Sequence, residues 1–262
     1  MNSQAEKLDY LVRKLAEEYD DIEIPESYIE KRQLLRELMN VRKPLPIDPK
    51  WMEVQDAFLS EETITKGIVR IEDIMSEDWN KNSKDNIFLW KGDITRLKVD
   101  AIVNAANSTL LGCFHPNHGC IDNAIHSVAG LGLRQACDGI MAKQGHLEIT
   151  GGAKMTAGFN LPSRYIIHTV GPIVSGTLTE IHEKELENCY KSCLEVAVAE
   201  DCHSLAFCCI STGEFHFPNE RAAEIAVKTV KNFLINNNQI KVVFNVFKEI
   251  DYKIYTRLLQ QD

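Results

Sequence analysis

The segment DAIVNAANSTLLGCFHPNHGCIDNAIH, residues 100–126, contains the features that decide the fold and the chemistry of this chain. Its first part, DAIVNAAN (100–107), is a short apolar run typical of a buried strand. The ten residues LGCFHPNHGC (111–120) then bring together two cysteines and two histidines. So many soft and borderline ligands directly after a strand indicate a metal site or a thiol nucleophile, unless they are an accident of composition.

The strand pattern recurs from residue 86 onwards. Helical stretches at 181–200 and 220–234 lie between the apolar runs, and within 151–172 two segments pair across LPSR. This alternation predicts an α/β fold, with a sheet sandwiched between helices. The strand-like runs are NIFLWKGDI (86–94), DAIVNAAN, YIIHTV (165–170), SLAFCCI (204–210) and KVVFNVF (241–247).

The first 75 or so residues have a helical pattern instead. Pro44, Pro46 and Pro49 interrupt it. Because the apolar faces of these helices need a partner surface, we expect residues 1–80 to form a helical extension packed on a core domain at 81–262. The apolar residues at helical spacing are Leu8, Leu11, Val12 and Leu15, followed by Ile29, Leu34, Leu35 and Leu38.

Composition narrows the class of protein. The chain has 262 residues, of which 44% are hydrophobic, enough for a packed core. Its net charge of -9 disfavours general binding to nucleic acid or anionic membranes. No apolar run is long enough to cross a bilayer, and the charged N-terminal segment lacks a signal-peptide pattern. We therefore expect a cytoplasmic protein whose eight cysteines are free thiols or metal ligands.

Cys113, His118 and Cys120 form a C-x4-H-x-C pattern in the loop. Two thiolates and one imidazole can hold Zn²⁺ and leave a fourth coordination position for water or substrate. His115 is the nearest further ligand, but Pro116 restricts the turn that would bring its ring inward. The spacing matches no standard zinc finger, so reactive or core thiols without metal stay open as the alternative.

Polar residues follow two of the strands. Asp93 lies at the end of the first apolar run, where a carboxylate can accept a hydrogen bond from an exocyclic amine such as that of adenine. A turn or helix-cap role is the alternative. Asn104 and Asn107 can bind ribose hydroxyls because their amides both donate and accept, although asparagine is also common in turns.

Residues 211–213, Ser-Thr-Gly, lie between a strand and a helix expected near Pro218. Backbone N–H groups of such a loop can bind a diphosphate without basic side chains, and a simple turn is the alternative.

The remaining candidate residues are a phenylalanine, a histidine and the other cysteines. Phe247 can stack on a base or fill the core. We expect His168 to be a hydrogen-bonded core residue. We also expect buried thiols at Cys137, Cys189, Cys193, Cys202, Cys208 and Cys209.

Five segments, taken in order, resemble the macrodomain signature, which here spans residues 86–262. They are KGDIT, DAIVNAAN, IDNAIH, TAGFNLPSRYIIHTVGP and ISTGEFHFP. The resemblance implies a three-layer α/β/α fold with a mixed central sheet and a cleft that binds ADP-ribose. Many members of the family hydrolyse ADP-ribose linkages, whereas others only bind the nucleotide.

The resemblance also implies roles for individual residues. Asp93 would hold the adenine amine with Ile94 beside it, and Phe247 would lie against the adenine. Asn107 would contact the distal ribose, and His126 would pack its helix. The phosphate loop would consist of Ser211, Thr212, Gly213, Glu214 and Phe215.

One departure from the usual pattern is informative. Hydrolytic macrodomains carry a run of glycines before the IDNAIH-like segment, but here the loop is longer and contains Cys113, His118 and Cys120. With the helical extension, this resembles the zinc-dependent macrodomains of microbes. Those members are associated with a sirtuin-like transferase and act on ADP-ribosylated acidic residues of a lipoyl-carrier protein.

The resulting hypothesis is a monomeric hydrolase with one Zn²⁺ per chain, which removes mono-ADP-ribose from Asp or Glu side chains of a protein. We expect Glu214 to act as a base or as a partner of a metal ligand. Asp122 matches the aspartate that positions water in other members, and Asn107 would orient the ribose. The alternatives are an ADP-ribose reader without hydrolysis and an O-acetyl-ADP-ribose deacetylase.

Overall fold

A computed structural model describes residues 3–77, 80 and 85–260. The N-terminal part is helical, as its apolar spacing predicts. Ser3 and Ser27 begin the first two helices by accepting backbone N–H bonds, and Pro49 occupies the first turn of the third. The elements are α1 (Gln4–Ala16), α2 (Tyr28–Val41), α3 (Pro49–Lys66), β1 (Val69–Arg70) and α4 (Ile71–Ser76).

The remaining elements alternate between strands and helices, which confirms the predicted α/β class. The strands are β2 (Ile87–Lys91), β3 (Leu97–Lys98), β4 (Ala101–Ala106), β5 (Ala153–Ala157), β6 (Tyr165–Val170), β7 (Ser204–Phe207) and β8 (Lys241–Val246). The helices are α5 (Ile121–Ala129), α6 (Leu131–Gln144), α7 (Glu180–Ala199), α8 (Asn219–Leu234) and α9 (Glu249–Gln260), with a 3-10 turn at Ile94–Arg96.

The main sheet has the strand order β2-β8-β7-β4-β6-β5. Its pairs are parallel except β5–β6, the antiparallel pair expected across LPSR, so the sheet is mixed. Helices α5 and α6 contact each other, α8 contacts both α7 and α9, and β5 contacts both α6 and α7. The sheet therefore lies between two helical layers, as the resemblance implies.

Two apolar clusters stabilise the described part of the chain. The larger one fills the space between the sheet and its helices and includes Ile74 of α4. The smaller one joins α1, α2 and α3 and reaches the core domain through Leu131 of α6. The proposed boundary at 80/81 stays a prediction, since residues 78–79 and 81–84 lie outside the described residues.

One element differs from the sequence-based expectation. The two-residue strand β1 pairs in parallel with β3, where Val69 lies opposite Leu97. A two-residue strand has no periodicity that sequence reading can detect, so the helical pattern alone could not predict it. In the described part of the chain, no helix is both long enough and apolar enough to cross a bilayer.

Candidate functional site

The predicted site residues lie along one edge of the sheet. Because β2, β8, β7 and β4 are neighbouring parallel strands, the loops that follow them emerge on the same side. In spatial order these loops contain Asp93, then Phe247, then residues 211–215, and finally residues 107–120. The sheet order thus runs from the predicted adenine contacts, past the predicted phosphate loop, to the cysteine and histidine ligands.

The loop ligands come together as their spacing predicts. The potential ligand atoms of Cys113, His118 and Cys120 all lie within 4.8 Å of one another. Cys113 Sγ is 3.6 Å from His118 Nδ1. Tetrahedral zinc with ordinary bond lengths separates its ligand atoms by roughly 3.4–3.8 Å. The donor set and its spacing therefore fit a zinc ion.

The ligand group consists of three residues among those that the structure describes. His115 is exposed and does not join the ligand group; its ring centroid is 5.8 Å from that of His118. A second group, His126, Cys137 and His168, is fully enclosed in the core. His168 Nε2 there lies 3.0 Å from Thr156 Oγ1, so this histidine is hydrogen-bonded in the core as predicted.

Helix α5 holds one of the ligands. Cys120 is its N-cap residue, and Cys120 Sγ accepts a hydrogen bond from the Asn123 backbone N–H at 3.4 Å. Burial raises the pKa of the Cys120 thiol to about 12. Without a cation the thiol therefore keeps its proton at neutral pH, whereas a bound divalent metal stabilises the thiolate and releases that proton.

Glu214 connects the predicted phosphate loop to the ligand group. Its Oε1 lies 3.7 Å from His118 Nε2, on the opposite side of the ring from the nitrogen that faces Cys113. Metal-binding histidines commonly direct their second ring nitrogen at a carboxylate, which fixes the tautomer and the orientation of the ring. The arrangement suits Glu214 as an orienting partner of His118, one of the two roles expected from the sequence.

Asp122 is buried directly behind the ligand loop. Its Oδ1 accepts a hydrogen bond from Asn104 Nδ2 at 2.8 Å. Burial raises the pKa of the Asp122 carboxyl to about 6, and the Asn104 bond opposes that shift. His126 Nε2 lies 3.5 Å from the same carboxylate without hydrogen-bond geometry. Because burial lowers the pKa of His126 well below its usual value, this contact joins a neutral ring to the carboxyl group.

Asn107 shapes the loop after β4. Its Nδ2 donates to the Gly112 carbonyl at 3.0 Å, and its Oδ1 accepts from the Thr109 backbone N–H at 3.0 Å. Gly112 has φ of +84°, and a Cβ there would lie 2.8 Å from the His126 ring. The Asn107 side-chain amide, which the sequence analysis assigns to the ribose, therefore also stabilises the conformation of residues 107–112.

We expect Asn107→Ala to keep its zinc but to bind ADP-ribose about tenfold more weakly, because loss of one or two hydrogen bonds typically costs about 1–2 kcal/mol. Metal analysis of the purified variant and calorimetric titration with ADP-ribose would measure the two effects separately. Unchanged affinity for ADP-ribose in this variant would contradict the ribose contact predicted for Asn107.

The predicted phosphate loop has an unusual backbone. Ser211 is buried and adopts a left-handed φ of +64°. Its Oγ has no hydrogen-bond partner among the described residues, and a Cβ on Gly171 would come within 2.1 Å of it. Thr212 Oγ1 donates to the Cys209 carbonyl at 3.0 Å, while Gly213 is open to solvent. The loop therefore combines an anchored beginning with an exposed turn.

At the other end of the edge, Asp93 acts as a cap. Its Oδ1 accepts hydrogen bonds from the Thr95 backbone N–H at 3.0 Å and from Thr95 Oγ1 at 2.7 Å, which is the alternative role expected for it. Ile94 is buried in the core. Phe247 is 75% exposed, so the core-filling alternative is wrong and stacking on a base stays a prediction.

Among the cysteines outside the ligand group, only Cys209 is partly exposed; the others are buried as expected.

Sequence reasoning missed several residues that contact the ligand loop from other elements, among them Arg36, Asn40 and Arg134. Arg36 donates to the His118 carbonyl, and Arg134 donates to the Leu111 carbonyl. Isolated polar residues on amphipathic helices are usually solvated, so their pattern gives no sign of these contacts.

The sequence matches the Macro domain family over residues 103–226. A protein-ADP-ribose hydrolase of Treponema medium is 48% identical over 98% of this chain and 99% of that protein. The Oceanobacillus iheyensis macrodomain with ADP covers 68% of this chain and 93% of its own, with 41% identity and a TM-score of 0.63. The Trypanosoma brucei macrodomain in complex with ADP-ribose covers 90% of this chain and 97% of its own, with 28% identity and a TM-score of 0.64.

Proposed function

Because this chain belongs to the macrodomain family, we propose that it is a zinc-dependent protein-ADP-ribose hydrolase that removes mono-ADP-ribose from acidic side chains. One observation carries the proposal: the ligand group and the predicted phosphate loop meet, with His118 Nε2 3.7 Å from Glu214 Oε1. A metal held there would lie next to the sugar of a nucleotide whose phosphates occupy the loop. The Treponema medium relative, named as a protein-ADP-ribose hydrolase, supports the same reaction.

Each of the loops that follow the strands would bind a different part of ADP-ribose. In the proposed complex, adenine lies near Asp93 and Phe247, and the diphosphate lies against residues 211–215. The distal ribose then reaches Asn107 and the ligand group. This order follows the order of the strands, so one extended ADP-ribose can contact all of these loops. We also propose that the protein acts as a monomer.

The proposed reaction adds water across the bond between the ribose C1″ and a protein carboxylate, giving ADP-ribose and a free Asp or Glu. Cys113, His118 and Cys120 would hold the zinc ion, which would supply Lewis acidity. Glu214, whose side chain is 67% exposed, would orient His118 and accept a proton from water. Asp122, whose carboxylate accepts a hydrogen bond from Asn104 Nδ2, would position the water.

Label release from a modified carrier protein tests this proposal. The substrate is a lipoyl-carrier protein with adenine-labelled mono-ADP-ribose on an acidic residue, prepared with a sirtuin-like transferase. The zinc-loaded enzyme should release labelled ADP-ribose, and a chelator should stop the release until zinc is restored. A protein modified on arginine serves as the control and should keep its label.

The alternatives give different results in the same assay. A reader would bind ADP-ribose but leave the label on the carrier protein with zinc present, and this outcome would refute the hydrolase proposal. An O-acetyl-ADP-ribose deacetylase would turn over that free nucleotide far faster than the modified protein. The ratio of the two values of kcat/KM therefore distinguishes the activities.

A further inference from the structure

The helical extension makes close contacts with the ligand loop, in addition to its own apolar packing. We propose that helix α2 positions this loop for metal binding, with Arg36 and Asn40 as the positioning residues. The inference rests on the proposed function only in assuming that Cys113, His118 and Cys120 bind zinc. It gives the extension a role in the site, although none of its residues belongs to the ligand group.

Arg36 connects α2 to both sides of the ligand group. Its Nη2 donates to the backbone carbonyl of His118 at 3.0 Å. Its Nε and Nη2 also donate to Asn123 Oδ1, at 3.2 and 2.7 Å. Asn123 in turn donates through Nδ2 to the His115 carbonyl at 2.9 Å, and its backbone N–H reaches Cys120 Sγ. The Arg36 guanidinium thus fixes the position of His118 relative to helix α5, whose N-cap residue is the second ligand, Cys120.

Asn40 holds the residue immediately before His118. It is almost fully buried, and its Oδ1 accepts the Asn117 backbone N–H at 3.1 Å. Its Nδ2 donates to Ser127 Oγ at 3.0 Å, which ties it to α5. Asn117 has a left-handed φ of +51°, and its side chain donates to Glu37 of α2. Helix α2 therefore holds the chain in a conformation that an unsupported loop would populate less often.

These contacts from α2 should increase the affinity of the ligand loop for a metal ion. Three ligands within eight residues lose conformational freedom when they close on an ion, and a loop already held in position loses less. Removing an outer partner of a metal ligand typically weakens metal binding by about 10–100-fold. Arg36 contacts the backbone of a ligand residue, so its removal should cost an amount in that range.

Helix α2 also provides a matched control. Arg32 lies one turn before Arg36 and is also partly buried. Its Nε and Nη2 pair with Glu62 of α3 at 2.8 and 2.9 Å, inside the extension. Substitution of Arg32 removes a charge and an ion pair from the same helix without removing a bond to the ligand loop.

Zinc affinity of the full-length protein tests the inference. The wild type, Arg36→Ala, Asn40→Ala, Arg36→Lys and Arg32→Ala would compete for zinc with a chromophoric chelator. We expect about 10–100-fold weaker binding for the two alanine variants at Arg36 and Asn40, as for other outer partners of metal ligands. Arg36→Lys should lie between them and the wild type, because one ammonium group cannot bond His118 and Asn123 in the same way. Arg32→Ala should bind zinc as tightly as the wild type.

Cobalt substitution gives a second readout that general destabilisation would not change. The thiolate-to-cobalt absorption of Arg36→Lys should shift or broaden, while that of Arg32→Ala should match the wild type. If the Arg36→Ala variant does not fold, Arg36→Lys carries the test. Unchanged affinity and spectra in the Arg36 and Asn40 variants would overturn the positioning role, as would an equal loss in Arg32→Ala. A wild type that binds no zinc would instead refute the zinc dependence of the proposed function and this inference with it.

Discussion

Cys113→Ala and His118→Ala should each lose the bound zinc and reduce hydrolysis of ADP-ribosylated protein by on the order of 100-fold or more. Removal of a group that stabilises developing charge commonly costs about 10²–10³ in rate, and a ligand group of three cannot lose a member and still hold the ion tightly. Both side chains are only partly buried in a surface loop, so the variants should fold normally. Metal content and kcat/KM on the same preparations would measure the two losses.

Cys202→Ala is the matched control for the cysteine variant. Cys202 is buried just before β7, at the opposite end of that strand from the ligand loop. The Cys202→Ala variant should keep its zinc and its turnover, with a small loss of stability because a buried thiol is removed. A Cys113→Ala enzyme that hydrolyses the substrate at the wild-type rate would show that the metal has no part in the reaction.

Arg134→Ala should lower the free energy of unfolding by about 3 kcal/mol or more, since it leaves several buried carbonyl groups without donors. The Arg134 guanidinium is buried beneath Phe114, with its Cζ 4.2 Å from the ring centroid. It donates to the carbonyls of Leu111 at 2.7 Å, Met39 at 3.0 Å and Asn40 at 2.9 Å. One side chain thus joins the end of α2 to the start of the ligand loop.

Urea denaturation of the zinc-free proteins would measure this effect without a contribution from metal binding. Arg164→Ala is the control, because Arg164 is an exposed arginine paired with Asp100 at 3.1 Å. Its loss should cost less than about 1 kcal/mol, as is usual for exposed ion pairs. Equal midpoints for Arg134→Ala and the wild type would contradict the structural role assigned to these carbonyl contacts.

The fold, and the gathering of the candidate site residues at one edge of the sheet, could be predicted from sequence because both depend on local patterns. The apolar runs from residue 86 onwards correspond to strands, and the polar residues after them lie at one edge because parallel strands share their direction. The ligand group was predictable for a similar reason. Cys113, His118 and Cys120 are close in sequence, so a single loop can bring them together.

Contacts between distant parts of the chain could not be predicted in this way. Arg36 reaches Asn123 across 87 positions, and Arg134 reaches Met39 across 95. Neither pairing has a periodicity or a spacing that a sequence displays. Asn107 illustrates a further limit: an amide can serve a ligand and its own loop, and the sequence does not show that Gly112 and Thr109 engage it.

The most direct test of a metal at the sugar end of the cleft is anomalous diffraction at the zinc edge, from crystals grown with ADP-ribose. We expect a single strong peak next to Cys113 Sγ, His118 and Cys120 Sγ, with the distal ribose beside it and the diphosphate on residues 211–215. Absence of a peak there in zinc-supplied crystals, or a nucleotide bound away from these loops, would contradict the proposed site.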